Sequence, residues 1–231
     1  DADARGLTAP GAPSSRDGHT GRPRSSRPRA TGPHRRPGER ANLVVAIRTP
    51  MTVREASAAD VAAIREVARA TWAADYPEIL SRETAERGVE EWYDADHIEG
   101  DVAGSRTRLF VASVDEGGDD AGEDGEDGTE RVVGFAHAEL GRDDRGYVLR
   151  LYVHPDYRNR GFGRRLLERT RDDLFDHGAE RIDAMVLAAN EPGNAFYRSF
   201  GFERVDEGET TIGGEAYREQ IYALERDPDD G

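Results

Sequence analysis

The residues with the clearest chemical potential form one glycine-containing turn that joins a predicted strand to a predicted helix. Residues 151–167 read Leu-Tyr-Val-His-Pro-Asp-Tyr-Arg-Asn-Arg-Gly-Phe-Gly-Arg-Arg-Leu-Leu. A turn of this kind points several peptide N–H groups and the positive end of a helix at one place. Gly161 and Gly163 let the backbone approach a ligand closely, and neighbouring arginines add positive charge. The segment therefore predicts a phosphate-binding turn.

Several other chemistries do not fit the sequence. The turn does not match the dinucleotide motif Gly-x-Gly-x-x-Gly, because Arg164, Arg165 and Leu166 follow its second glycine, and the chain has no Walker Gly-Lys-Ser/Thr motif. The absence of cysteine excludes disulfides, thiolate metal ligands and a cysteine nucleophile. The acidic residues of 115–131 do not have EF-hand spacing, and we predict no metal site.

A second motif about 30 residues downstream makes the first one specific. Residues 158–163 resemble the signature Arg/Gln-x-x-Gly-x-Gly/Ala of the GNAT superfamily of N-acetyltransferases. Residues 190–202, Asn-Glu-Pro-Gly-Asn-Ala-Phe-Tyr-Arg-Ser-Phe-Gly-Phe, are similar to the family's Asn-x-x-Ala-x-x-Phe-Tyr-x-x-x-Gly-Phe. The two motifs occur in the family's order and spacing, and the resemblance covers residues 52–226.

The resemblance implies a cosubstrate, acetyl-CoA, and a place for it. Its pantetheine arm would lie between two central strands that splay apart, paired with backbone groups of Leu151 and Val153. The amides of residues 160–164 would hold the pyrophosphate, and Asn190 would contact the pantetheine or the acyl group. The residues implied to bind acetyl-CoA are Leu151, Tyr152, Val153, Arg158, Asn159, Arg160, Gly161, Phe162, Gly163, Arg164, Asn190 and Tyr197.

The resemblance also implies direct transfer of acetyl to an amine, without an acyl-enzyme, so the absence of cysteine is no obstacle. Tyr197 matches the family's usual general acid, which protonates the sulfur of CoA, although a tyrosine in a Phe-Tyr pair also fits an ordinary core position. The backbone N–H of Val153 is the implied oxyanion donor.

The general base is less clear from the sequence. Many relatives carry a glutamate on the strand before the turn, but residues 149–151 here are Leu-Arg-Leu. The alternatives are Glu139 or His137 on the preceding strand, or a chain of water molecules. Glu139 is our predicted base among the side chains.

The acceptor is predicted to be a primary amine, either of a small molecule or of a protein N-terminus. Trp72 and Tyr76 are expected to shape its pocket, although aromatic residues at this spacing also pack together without a function. The alternative is a non-catalytic acyl-CoA-binding regulatory module of the same fold, which the missing strand glutamate would favour. A homodimer is common in the superfamily.

Composition gives the remaining predictions. The formal net charge is −15, yet residues 1–50 hold 10 Arg and 4 acids, whereas residues 51–231 hold 22 Arg and 43 acids, with no lysine anywhere. A lysine-free acidic domain resembles the cytosolic proteins of extreme halophiles. The alternative is a surface that steers a cationic substrate. No apolar stretch is long enough to span a membrane, so we expect a soluble, cytoplasmic protein without membrane partners.

The chain is predicted to contain one domain with a tail on each side. Residues 1–50 are rich in Arg, Pro and Gly and should be disordered. They would be either a basic arm that contacts nucleic acid or a segment that precedes a mis-assigned start, with Met51 as the true start. Nucleic acid is not a partner that we expect. The acetyltransferase domain is placed at 51–226 and a short tail at 227–231.

Alternating strand and helix signals predict an α/β fold. The resemblance adds that the sheet is mixed and mostly antiparallel, splayed between its fourth and fifth strands and flanked by about four helices. The predicted strands are 52–55, 109–114, 132–140, 147–153, 182–187, 202–207 and 217–224. The predicted helices are one capped by Ser57 or Asp60, then 82–93, 164–177 and 194–200. Residues 115–131 are a predicted polar loop.

Overall fold

The computed structural model describes residues 51–80, 83, 84, 88, 92–116 and 129–227. These residues contain a seven-stranded sheet in the order β1-β2-β3-β4-β5-β7-β6, in which only β4 and β5 are parallel neighbours. The mixed, mostly antiparallel sheet predicted from the sequence is therefore confirmed. Its strands are β1 (Met51–Glu55), β2 (Thr107–Glu116), β3 (Thr129–Leu140), β4 (Arg145–Val153), β5 (Arg181–Leu187), β6 (Glu203–Ile212) and β7 (Glu215–Glu225).

Helices cover both faces of this sheet. Within the described ranges they are α1 (Val61–Asp75), α2 (Ala95–Ala103), α3 (Phe162–Asp176) and α4 (Glu191–Phe200), with single 3-10 turns at Ala58–Asp60, Tyr76–Glu78 and Pro155–Tyr157. The apolar side chains of α1 and α2 pack in one cluster with Phe135 and Tyr152 of the sheet. Those of α3 and α4 pack in a second cluster with Leu151 and Val153. Apolar residues recurring at three and four positions explain this placement, because they put one stripe of each helix on the sheet.

The central feature of the sheet is a gap between β4 and β5. The two strands pair only from Arg145–Arg181 to Val148–Ala184, and they separate beyond that point. The strand β4 carries an extra residue there, since Val148 pairs with Ala138 and Arg150 with His137, which leaves Leu149 as a bulge. A bulge bends its strand and increases the local twist. The predicted splay between the fourth and fifth strands is therefore present and has a local cause.

Some predicted boundaries differ from the observed ones. Helix α2 was not predicted, because Ile98 is its only buried residue and gives no hydrophobic period. The predicted helix 82–93 lies mostly outside the described residues. Residues 117–128 of the predicted acidic loop lie wholly outside them, and so do both predicted tails apart from Asp227. Strands β2, β3, β6 and β7 extend beyond the predicted ranges, since their ends are polar. Among the described residues, no helix is long and apolar enough to cross a membrane.

Candidate active site

The predicted phosphate-binding turn lies at the start of α3. Gly161 caps this helix with φ of +90°, a left-handed conformation that disfavours other residues, and a Cβ placed there would meet open space. The peptide N–H of Arg165 bonds to the carbonyl of Gly161. The first N–H groups of any α-helix have no partner within the helix, so those of Phe162, Gly163 and Arg164 are available to a ligand. The turn has the geometry of an anion site.

A cavity of about 250 Å³ lies beside this turn. It is bounded by the end of β4, the turn, the first residues of α3 and one side of α4. Most of the turn residues predicted from the sequence line it. The complete lining is Val153, Tyr157, Arg158, Asn159, Gly161, Phe162, Gly163, Arg164, Phe196, Ser199 and Phe200.

The edge of β4 that faces the gap carries backbone groups that β5 does not pair. The N–H of His154 bonds to the carbonyl of Val133, which fixes the alternation of the β3–β4 ladder. In an antiparallel ladder, residues alternate between those that bond to the neighbouring strand and those that point away from it. Leu151 and Val153 belong to the second set, so their N–H and C=O groups point into the gap, where the C=O of Val153 accepts a hydrogen bond from Nε of Arg158 at 3.1 Å. These are the two residues whose backbone groups the family resemblance placed beside the pantetheine arm.

The three arginines of the turn have different surroundings. The guanidinium of Arg160 lies 5.0 Å from the ring centre of Tyr157 and donates to the carbonyl of Asp156. Arg164 is exposed and pairs with Glu168 at 2.9 Å. The guanidinium of Arg158 instead binds Asp75 at the end of α1, with N–O distances of 2.6 and 2.7 Å. Sequence inspection did not single out Asp75, which lies 83 residues away.

Helix α4 positions the second motif. The side chain of Asn190 caps this helix by accepting a hydrogen bond of 2.9 Å from the N–H of Gly193. Tyr197 lies about two helical turns further along the chain. Its side chain is completely buried and packs edge-on against Phe202 and nearly parallel to Tyr222. Helix α4 and the turn lie on the same face of the sheet, because the apolar residues of both belong to one cluster.

The opposite face carries an aromatic cluster at the end of α1. Trp72 and Tyr76 stack with their ring centres 4.4 Å apart, and the indole N–H of Trp72 donates to the hydroxyl of Tyr152 at 3.1 Å. Tyr93 contacts both Trp72 and Tyr152. Because Tyr152 is part of β4, the two predicted acceptor-pocket residues lie against the strand that borders the gap.

The candidate bases on β3 are less suitable than the sequence indicated. Glu139 pairs with Tyr147 near the closed end of the sheet, five positions from Gly134, which pairs with Val153. At about 3.3 Å per residue these positions are roughly 16 Å apart, too far for direct proton transfer. The side chain of Glu139 is also exposed.

His137 is buried and already engaged. Its Nδ1 lies 2.8 Å from Nη1 of Arg150, and arginine only donates, so Nδ1 must be the acceptor. Asp101 of α2 lies 3.6 Å from the same nitrogen. Burial, and then the charge of Arg150, lower the pKa of His137 to about 3. The imidazole is therefore neutral, and the lone pair of its Nδ1 accepts the hydrogen bond from Arg150.

Comparison with known proteins gives a consistent picture. Residues 66–202 match the model of the acetyltransferase (GNAT) family. Spermidine N(1)-acetyltransferase of Thermoplasma acidophilum is 25% identical over 154 residues, which are 67% of this chain and 89% of that protein. [Ribosomal protein bS18]-alanine N-acetyltransferase of Salmonella typhimurium is 34% identical over 73 residues, 32% of this chain and about half (49%) of that relative.

A solved structure shares the fold. The paia N-acetyltransferase from Thermoplasma acidophilum, crystallised in complex with coenzyme A, superposes with a TM-score of 0.63 and 23% sequence identity. The superposition covers 77% of this chain and 99% of that protein.

The neutral, buried His137 predicts a pH-dependent stability. Its pKa is lowered from 6.5 to about 3 on folding, so unfolding takes up a proton once the pH is below 6.5. The free energy of unfolding should therefore fall as the pH decreases from 6.5 toward 3, by up to about 1.4 kcal/mol per pH unit. His137→Gln should flatten the decline between pH 6.5 and 5, measured by urea denaturation at each pH. The exposed His177→Gln is the control, and equal slopes in all three proteins would contradict the assignment.

Proposed function

The chain belongs to the GNAT acetyltransferase family and is thus an acyltransferase that uses acetyl-CoA, and we propose that it transfers acetyl directly to a primary amine. The proposed acceptor is the amine of a small molecule or of a protein N-terminus. The names of two relatives, a spermidine and a ribosomal-protein alanine N-acetyltransferase, support these two classes. The observation that carries the proposal is the gap, where an unpaired strand edge leads into a turn with convergent N–H groups.

The backbone of β4 and the turn would hold the cosubstrate. The gap-facing N–H and C=O of Leu151 would pair with the amides of the pantetheine arm, as a neighbouring strand does. The resemblance also implied this pairing for Val153, but its C=O is bonded to Nε of Arg158. The N–H groups of residues 160–164 would bind the pyrophosphate, and Arg160 and Arg164 would add charge. Bound acetyl-CoA supplies a thioester whose carbonyl carbon is open to attack by an amine.

Two groups of the chain carry the proposed chemistry. The N–H of Val153 points into the gap, where it would stabilise the negative oxygen formed when the amine nitrogen attacks the thioester carbon. When the C–S bond breaks, the electron pair stays on sulfur, and the hydroxyl of Tyr197 would supply the proton. Its place on α4, on the same face as the turn, supports this role.

The acceptor amine must lose its proton before it attacks. Of the three routes considered from the sequence, Glu139 lies roughly 16 Å along the sheet from Val153, and His137 is used by Arg150. We therefore assign proton removal to water in the gap. The acid limb of kcat/KM should then follow the pKa of the amine used. A limb that stays fixed across amines of different pKa would contradict this assignment.

Other expectations from the sequence stay predictions. They are the domain limits at 51 and 226, the status of residues 1–50, a homodimer, a cytoplasmic location and a halophilic source.

Replacing Gly161 with alanine should weaken the binding of CoA. Alanine at φ of +90° costs about 1–2 kcal/mol, and the turn should relax to a shape in which its N–H groups no longer converge. The dissociation constant of CoA, measured by calorimetry, should rise about tenfold.

Gly178 offers a matched control at the other end of α3. It has φ of +92° and, like Gly161, open space where a Cβ would lie. Gly178→Ala should cost similar stability and leave CoA binding unchanged. If both variants bound CoA as tightly as the wild type, the turn would not be the pyrophosphate site.

Replacing Tyr197 with phenylalanine should slow turnover. Loss of a general acid typically costs a factor of 10² or more, so kcat should fall on the order of a hundredfold while the KM for acetyl-CoA changes little. Release of CoA would be measured with spermidine and with a peptide that has an N-terminal alanine. Tight CoA binding by the wild type without turnover of any amine would favour the non-catalytic module instead.

Tyr222→Phe is the control for this substitution. Tyr222 is also buried, lies parallel to Tyr197, and donates to Oδ1 of Asn194 at 3.0 Å. Its loss should lower stability but leave kcat within a few-fold of the wild type. A Tyr197→Phe variant as active as Tyr222→Phe would remove Tyr197 from the mechanism.

A further inference from the structure

Arg158 connects two elements that border the gap from different directions. Its Nη1 and Nη2 donate to the two carboxylate oxygens of Asp75 at 2.6 and 2.7 Å, and its Nε donates to the carbonyl of Val153 at 3.1 Å. Bidentate arginine–carboxylate pairs fix orientation as well as distance. One guanidinium therefore ties the last residue of α1 to the last residue of β4.

The environment of the pair makes it dependent on both partners. The side chains of Arg158 and Asp75 are only 19% and 12% exposed. Burial raises the pKa of Asp75, and the hydrogen bonds and charge of Arg158 oppose this shift. A partly buried carboxylate that loses its cation is left with an uncompensated charge. The two side chains thus form one structural unit.

The elements joined by the pair have different proposed tasks. The carbonyl held by Arg158 belongs to Val153, whose N–H is the proposed oxyanion donor. The N–H of the next residue, His154, is held by Val133 of β3 at 2.8 Å, so the end of β4 is fixed on both sides. Asp75 directly precedes Tyr76, which stacks on Trp72. The cosubstrate side and the aromatic side of the gap are therefore joined by Arg158.

The charge of Arg158 is already balanced. The resemblance implied that this arginine contacts the cosubstrate, but its guanidinium forms a partly buried, bidentate pair with Asp75. Arg160 is exposed, and the pair that Arg164 forms with Glu168 is exposed as well. The hydrogen bonds of Arg158 join α1 to β4, which is the geometry of a structural contact and not of a phosphate ligand.

We propose that Asp75 and Arg158 are positioning residues. They fix the end of β4, which carries the proposed oxyanion donor, relative to the stacked rings of Trp72 and Tyr76 at the proposed acceptor site. This inference rests on the proposed acetyl transfer. Misplacement of reacting groups by about 1 Å can cost up to 10² in rate, so the pair affects turnover more than cosubstrate affinity.

The test compares kcat with CoA affinity in Asp75→Asn, Arg158→Gln and the double variant. Each single variant should lower kcat by about tenfold to a hundredfold, while the dissociation constant of CoA stays within about threefold. The double variant should be no slower than the worse single variant, because the two side chains act as one unit. Arg158→Lys keeps the charge but not the fork of donors, and it should not restore kcat.

A second bidentate pair supplies the matched control. Arg54 holds Asp60 with two N–O distances of 2.8 Å, next to α1 but at its other end. Asp60→Asn should lower stability, measured by urea denaturation, and leave kcat unchanged. A kcat loss in Asp60→Asn as large as in Asp75→Asn would reduce the effect to general destabilisation and overturn the proposal.

Two other outcomes would also overturn it. One is wild-type kcat in Asp75→Asn and Arg158→Gln. The other is a tenfold or greater loss of CoA affinity in Arg158→Gln but not in Asp75→Asn, which would make Arg158 a direct cosubstrate ligand. Failure of the proposed function looks different, because the wild-type protein would then acetylate neither spermidine nor the alanine peptide.

Discussion

The site depends on one constraint, which is that β4 cannot stay paired with β5 beyond Val148. The bulge at Leu149 turns the strand away while β3 continues to hold its other edge. Leu151 and Val153 are thereby left with backbone groups that no strand satisfies. Arg158 binds the C=O of Val153, so the N–H of Val153 and both backbone groups of Leu151 are the ones that a ligand pairing as a strand does could meet.

The surrounding elements give this gap two chemically different sides. On one face, α3 begins at the Gly161 turn with N–H groups directed at an anion, and α4 brings Tyr197 to the same side. On the other face, α1 ends in the stacked pair Trp72 and Tyr76. The first side therefore has exposed arginines beside the start of a helix, and the second side has stacked aromatic rings.

The sequence predicted the parts of the site that depend on local pattern. The Gly161 turn, the two motifs and the α/β order follow from spacing within short segments, and the comparisons confirm the family. The partner of Arg158 was beyond this reach, because Asp75 is 83 residues away and carries no local signal. Helix α2 buries only Ile98 and so leaves no periodic signal in the sequence. The distance of Glu139 from Val153 depends on the pairing of β3 with β4, which a single sequence does not show.

The central claim is that the open edge of β4 and the turn receive the cosubstrate together. A crystal structure of the protein with a non-hydrolysable acetyl-CoA analogue tests it most directly. The account predicts the diphosphate on the N–H groups of residues 160–164 and the acyl oxygen about 3 Å from the N–H of Val153. An analogue bound elsewhere, or β4 and β5 closed together along their full length, would contradict it.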